Sequence, residues 1–229
     1  MFTPAEWEVI GLSLRIAAIA VVVSLPFAVA AAYALARGRF RGKALFDAAV
    51  HAPLLMPPVL TGYVLLVLLG REGLVGRWLH DTLGMTFAFH WTGAVVAAAV
   101  MAFPLFVRAI RLSIEAIPRE IDEMAAGLGA RPWATFVHVV MPLSRPGIIA
   151  GMTLAFAKAL GEFGATITFV SNIPGETRTI ALAMHTMLQV PGGEAGIGRL
   201  AIVSLVLAVG ALLVSEWLVR RAAYRPQSE

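Results

Sequence analysis

Within this 229-residue chain, the two side chains with most scope for chemistry are Lys158 and Glu162. They stand four residues apart in an apolar run, so a helix there puts both on one face. A lone charge at the centre of a bilayer costs about 2.5–3.5 kcal/mol even on the lenient insertion scale. Two readings stay open: an ion pair that fixes helix packing, or a pair lining a water-filled path. In the second, Lys158 offers positive potential to a divalent anion. Gly161, Gly164, Thr166, Thr168, Ser171 and Asn172 surround this pair in sequence. The hydroxyls and the amide either offer neutral hydrogen bonds to an oxyanion or satisfy one another. Gly161 and Gly164 either let helices approach closely or form a flexible point at which a gate moves. Gly147 and Gly151, in G-x-x-x-G spacing, serve packing within the chain or at a dimer axis.

Other chemistries lack their residues. Cysteine is absent, which removes disulfides, thiolate ligands and a cysteine nucleophile. The histidines at 51, 80, 90, 138 and 185 are scattered, with no ligand pair at metal-binding spacing. No second carboxylate joins Glu162 in a neighbouring apolar run, which argues against a paired-acid enzyme site. Gly38-Arg-Phe-Arg-Gly42-Lys43-Ala44 falls short of a phosphate-cradling loop. It has one residue too few between the glycines, and Ala44 lacks the hydroxyl that would hold Mg²⁺. It reads as a basic turn. The chain is therefore expected to carry no catalysis, cofactor or metal of its own, and to draw energy from a partner.

The elements that must position these residues are apolar. Hydrophobic residues make up 59% and charged ones 14%, with mean hydropathy +0.82. Soluble domains carry about 25% charged residues, so lipid is the expected solvent. Five apolar runs are long enough to cross most of a bilayer: about 9–36, 53–69, 91–107, 146–170 and 200–219. Backbone groups in lipid must pair internally, so the expected fold is all-α transmembrane, about five membrane-spanning helices. Pro26, Pro57, Pro58 and Pro104 should kink or start them. No inverted repeat is visible, and residues 1–229 read as one domain. No cleavable signal peptide is evident, because the chain opens with Glu6 and Glu8 and not with a basic stretch.

Charge sets the orientation. Twelve of 18 basic residues lie in three places: the turn after the first run (Arg37, Arg39, Arg41, Lys43), the connection at 108–145, and the tail with Arg220, Arg221 and Arg225. The positive-inside rule puts all three in the cytoplasm and the N-terminus outside. Clustering at the ends of apolar runs, and not a net charge of +4, is the pattern to read; it points to membrane lipid and away from nucleic acid. Arg15 should snorkel outward, and Glu216 should pair at headgroup level with Arg220. The external connection from Ser171 to Gly198 should hold a short surface helix at 180–188.

The third connection, about 119–145, is the most informative. Residues 123–128 suit a helical turn with Ala125 and Ala126 on its surface, ended by a left-handed Gly129. Pro132 suits the start of a second helix, and Pro142 its stop. Trp133, Phe136, Val137 and Val140 recur on one side of it. By periodicity alone, that apolar side lies on lipid headgroups or inserts in a groove of a soluble partner, with equal weight.

Resemblance decides between them. Glu123-Met124-Ala125, then Gly129, then Val139-x-Met141-Pro142 resembles the "EAA" motif of ABC importer permeases, at its full spacing. Met124, Val139 and Met141 replace an Ala, an Ile and a Leu. The resemblance implies a cytoplasmic coupling helix that docks into an ATPase subunit, with Glu123, Ala125, Gly129, Trp133 and Phe136 as its contacts. ALGEFGATITFVSNIPGETRTI, from Ala159 to Ile180, closely resembles the molybdate permeases, as do 53–66 and 99–112. Sulfate permeases are similar around Gly161-Glu162-Phe163-Gly164 and diverge after it. The chain is thus identified as a member of the molybdate ABC importer permeases. That implies a type I permease fold in the bacterial inner membrane, two copies of the permease with two ATPase subunits, and an extracytoplasmic binding protein. It implies molybdate as cargo, with tungstate accepted. A sulfate or thiosulfate permease is the alternative, and a secondary anion transporter a more distant one.

Overall fold

The computed structural model describes residues 2–223, so Arg225 lies outside the described residues. Three helices are long and apolar enough to cross a membrane: α1 (Pro4–Arg37), α5 (Trp91–Glu115) and α12 (Glu194–Ala223). A capping box opens α1, with the Glu6 N–H donating to the Thr3 hydroxyl and the Thr3 N–H donating to the Glu6 carboxylate. Two further pairs cross only as bent units, α2 (Lys43–Leu55) with α3 (Pro58–Leu69), and the helical stretch Pro132–Leu143 with α9 (Arg145–Leu160). Counted so, the spans number five, as the apolar runs predict.

The second span corrects the sequence expectation. It is not one helix from 53 to 69: α2 and α3 meet at 113° across Met56 and Pro57. Two successive prolines withhold two N–H donors and push the preceding residue out of the helical region. Two helices were not anticipated: α2 begins ten residues before the expected run, and α4 (Leu74–Leu83) lies in the next connection. Both carry charges that dilute an apolar window.

The fold centres on α5, which packs between α1 and α9. Alanines make the contact, among them Ala17, Ala28 and Ala32 on α1 and Ala94, Ala97 and Ala98 on α5, all buried. Small residues let backbones close up where lipid gives no hydrophobic drive. A Cβ on Gly147 would fall 2.1 Å from the Ser113 side chain, and one on Gly151 would fall 2.9 Å from the Phe106 ring. The G-x-x-x-G pair therefore seats α9 on α5 within the chain.

Polar contacts fix the two ends. At one, Arg199 of α12 bonds the buried Glu6 carboxylate at 2.7 Å, and the Ser13 hydroxyl accepts from the Ile180 N–H at 2.8 Å. Arg15 lies 3.9 Å over the Trp91 ring at this end, so it stacks at the head of α5. At the other, Arg37 bonds the Ile117 carbonyl at 2.8 Å and pairs with Asp122 at 3.0 Å. The described parts of the three basic regions share this second end. Glu216 pairs with Arg220 at 2.9 Å, as expected. The helix expected at 180–188 forms as α11 (Ile180–Leu188), but Ile180, Leu182 and Ala183 are buried. It is wedged against α12 and α1 instead of lying on the surface.

Candidate functional site

The segment expected from the sequence to be the coupling element is built around a turn. After α6 (Arg119–Gly127), the Ala130 N–H donates to the Ala125 carbonyl at 3.0 Å and the Gly129 N–H to the Ala126 carbonyl at 2.9 Å. This double closure is the Schellman motif, and it needs the left-handed conformation that Gly129 adopts at φ +82°. Pro132 then starts α7 (Pro132–Thr135), as expected. The helix does not stop at Pro142. It runs through a π turn, Phe136–Val140, into α8 (Met141–Leu143). The Met141 N–H reaches back five residues to the Phe136 carbonyl. The extra residue in that turn shifts the carbonyl that the Pro142 ring would otherwise strike.

The expected apolar side of this second helix is divided. Val140 is buried and Phe136 packs its ring 4.7 Å from Tyr33 of α1, while Trp133 is 72% exposed. The outward face of the segment presents Glu123, Met124, Leu128 and Gly129, with Ala125 partly covered. Leu128 is 90% exposed, the most open apolar side chain on the loop. Arg37 and Asp122 tie this loop to the end of α1.

The second constellation is a break in the fourth span. α9 ends at Leu160 and α10 (Gly164–Val170) begins three residues beyond Gly161. Lys158 and Glu162 do pair, at 2.5 Å. The other Glu162 oxygen accepts from the Ala165 N–H at 3.0 Å, so one buried carboxylate holds both sides of the break. Lys158 is the more open partner, its side chain 28% exposed. Gly164 is required by contact, since a Cβ there would fall 2.6 Å from Pro58. A Cβ on Gly161 would meet only the Ala157 carbonyl, at an ordinary 3.8 Å.

The polar residues after the break largely satisfy one another. The Thr168 hydroxyl donates to the Gly164 carbonyl at 2.9 Å. Asn172 donates to Thr186 at 2.7 Å and accepts from Arg178 at 3.0 Å, which ties the loop to α11. Thr166 is buried. Ser171 sits at φ +64°, a left-handed conformation that a residue with a Cβ seldom takes. Its carbonyl accepts from Thr177.

Sequence reasoning missed the third wall of this break. Gly62 of α3 lies against the Ala165 carbonyl and Thr168, so close that a Cβ would fall 2.5 Å from the former. Beside it the Thr61 hydroxyl is buried without a hydrogen-bond partner. The signal was the Pro-Pro step, which predicts a bend but not what the bend touches. Phe163 also stacks 4.9 Å from His185, at the edge of a cleft of about 360 Å³ between the break and α11. The arrangement holds a broken helix by charge and close contact.

Comparison with known proteins agrees with this geometry. Residues 24–224 match the family described as binding-protein-dependent transport system inner membrane component. The molybdenum transport system permease protein ModB of Escherichia coli is 56% identical over 220 residues, 96% of each chain. The ModB of Haemophilus influenzae is 50% identical over 94% of each. Among solved structures, a bacterial alginate ABC transporter with its periplasmic protein superposes at TM-score 0.76, with 15% identity, over 97% of this chain and 81% of that one. An inward-facing MetNI methionine ABC transporter gives 0.70, with 15% identity, over 95% and 94%. The fold is that of the type I ABC importer permeases.

Proposed function

Since this chain belongs to the binding-protein-dependent inner membrane transport components, we propose that it is the permease subunit of an ATP-driven importer of molybdate, with tungstate as a second cargo. The observation that carries the reading is 56% identity over 96% of both chains to a molybdenum permease. The 220 matched residues span the helix break and the coupling segment alike. The pore chemistry is permissive: Lys158 and neighbouring hydroxyls suit any tetrahedral dianion, sulfate included.

In this reading the chain hydrolyses nothing. Two ATPase subunits dock on the coupling segment through Glu123, Ala125 and Gly129, with Met124 and Leu128 as exposed apolar contacts. Trp133 and Phe136 brace that surface from behind. The break at Gly161 and Gly164, with Lys158, Glu162, Thr166, Thr168, Ser171 and Asn172, is the gate region. Lys158 lies at mid-span with its side chain 28% exposed. A charge there needs water or a second protein surface. A two-fold homodimer around a shared path supplies both. An extracytoplasmic binding protein delivers the anion, because a closed, dry site discriminates anions better than a pore that must release them. The N-terminus is outside and the coupling segment in the cytoplasm.

The test is uptake by the complex of this chain with its ATPase subunit and native binding protein, reconstituted in vesicles. ATP-dependent accumulation of molybdate and tungstate is expected. Sulfate uptake with none of molybdate would place the chain in the sulfate branch, and uptake without ATP would make it a secondary transporter.

A further inference from the structure

We propose that the groove between the inner half of α1 and the coupling segment binds an acyl chain of an anionic phospholipid, with Arg131 and Arg145 on its phosphate. The proposal rests on the orientation above, in which this end of the molecule is cytoplasmic. The groove holds about 680 Å³. Pro26, Val29 and Tyr33 form one wall, Trp133, Phe136 and Ile148 the other. Its lining contains no charged side chain.

Depth is the first argument. The α1 wall runs from Leu25 to Tyr33, and α1 ends at Arg37. At 1.5 Å per residue, that places the wall about 6–18 Å from the helix end. One leaflet of hydrocarbon is about 15 Å deep. A soluble ATPase subunit stays outside that layer, whereas a lipid tail belongs in it. Lipid-depth apolar surface explains the Trp133 exposure as well. Its ring packs 5.4 Å from Phe136 and otherwise stands open at the groove. Tryptophan favours the level where tails meet headgroups.

Charge is the second argument. Arg131 directly precedes Pro132 on one rim, and Arg145 lies one turn before Ile148 on the other. Both are exposed, and among the described residues neither forms an ion pair. Arg37, Arg111 and Arg199 all do. Guanidinium groups match phosphate oxygens in paired hydrogen bonds. Two of them beside a groove with no carboxylate favour a headgroup with net negative charge. A lipid held there would press on Phe136 and so steady the coupling segment from its membrane side.

Trp133 reports the occupant directly. Replacing Trp7, Trp78, Trp91 and Trp217 by Phe leaves Trp133 as the only indole of this chain, and any tryptophan of the ATPase subunit is replaced by Phe as well. The complex, with its ATPase subunit, is placed in phosphatidylcholine vesicles containing a minor share of tail-brominated phosphatidylglycerol. Most Trp133 emission should be lost. The same share of tail-brominated phosphatidylcholine should quench little, and Arg131→Gln with Arg145→Gln should remove the difference. Equal quenching by both lipids overturns the anionic site. No quenching by either overturns the lipid, and means that a second copy or the ATPase subunit fills the groove. Molybdate uptake is followed in the same vesicles, so quenching without uptake would sink the transport reading and leave this one standing. If the single-tryptophan chain does not assemble, native mass spectrometry of the unaltered complex decides: retained phosphatidylglycerol supports the site, and its absence refutes it.

Discussion

Gly129 shows how one backbone conformation can set the shape of the proposed coupling surface. Its φ of +82° closes the Schellman turn that sets the angle between α6 and α7. An L-residue in that region costs about 1–2 kcal/mol, more when β-branched. Gly129→Val should therefore reach the membrane at normal levels and lose most ATP-driven uptake. Gly129→Asn, which tolerates the conformation, should keep most of it. Immunoblots of membranes and uptake assays read the two effects separately, and equal uptake by both variants would remove the turn from coupling. Lys158→Met gives the second test at this scale. Glu162 keeps its bond from the Ala165 N–H, so the break persists. Uptake should fall without any change in the preference for molybdate over sulfate. A switch in preference would mean that the pore, and not the binding protein, selects the anion.

At the scale of elements, the α5–α9 contact sets how stiff the subunit is. Gly147 faces Ser113 so closely that any side chain must push the helices apart. Overpacking of this kind costs about 1–3 kcal/mol. Gly147→Leu should lower the melting temperature of the detergent-extracted protein by several degrees. Gly210→Leu on α12, with nothing within 4 Å, should leave it unchanged. Similar melting of the two would show that α9 does not seat on α5 as described. The other elements divide by how they are held. The coupling segment is tied to α1 by Arg37 and Asp122. The break is tied to α3 by Gly62 and Pro58, and to α11 by Asn172 and Phe163. Movement of either constellation must therefore carry a neighbouring span with it.

For the whole molecule, the test is which end faces which compartment. With no native cysteine, single substitutions at the exposed Arg41 and His138 should label only from the cytoplasm. Glu72 and Asp81, exposed at the opposite end, should label only from outside. External labelling at His138 would turn the molecule over and take the coupling assignment with it. Native mass spectrometry should find two copies of this chain with two ATPase chains, and a single permease copy in an active complex would rule out the shared path. Ser144, near the end of the coupling segment, is buried and a poor labelling site.

Much of this was legible in the sequence. Hydropathy gave the number of spans, because lipid leaves the chain no other way to pair its backbone. Charge placement grouped the ends, and Gly129, Pro132 and the Lys158–Glu162 spacing act locally, within reach of the chain's own dihedrals. Tertiary structure decided what depends on distant contact. It put Gly62 and Pro58 against the helix break, wedged α11 between α1 and α12, and packed Phe136 on Tyr33 while leaving Trp133 open. It also chose a π turn over a stop at Pro142. The tertiary contacts among these are fixed by side-chain volume between elements far apart in sequence, and neither periodicity nor spacing along one strand of chain encodes that distance.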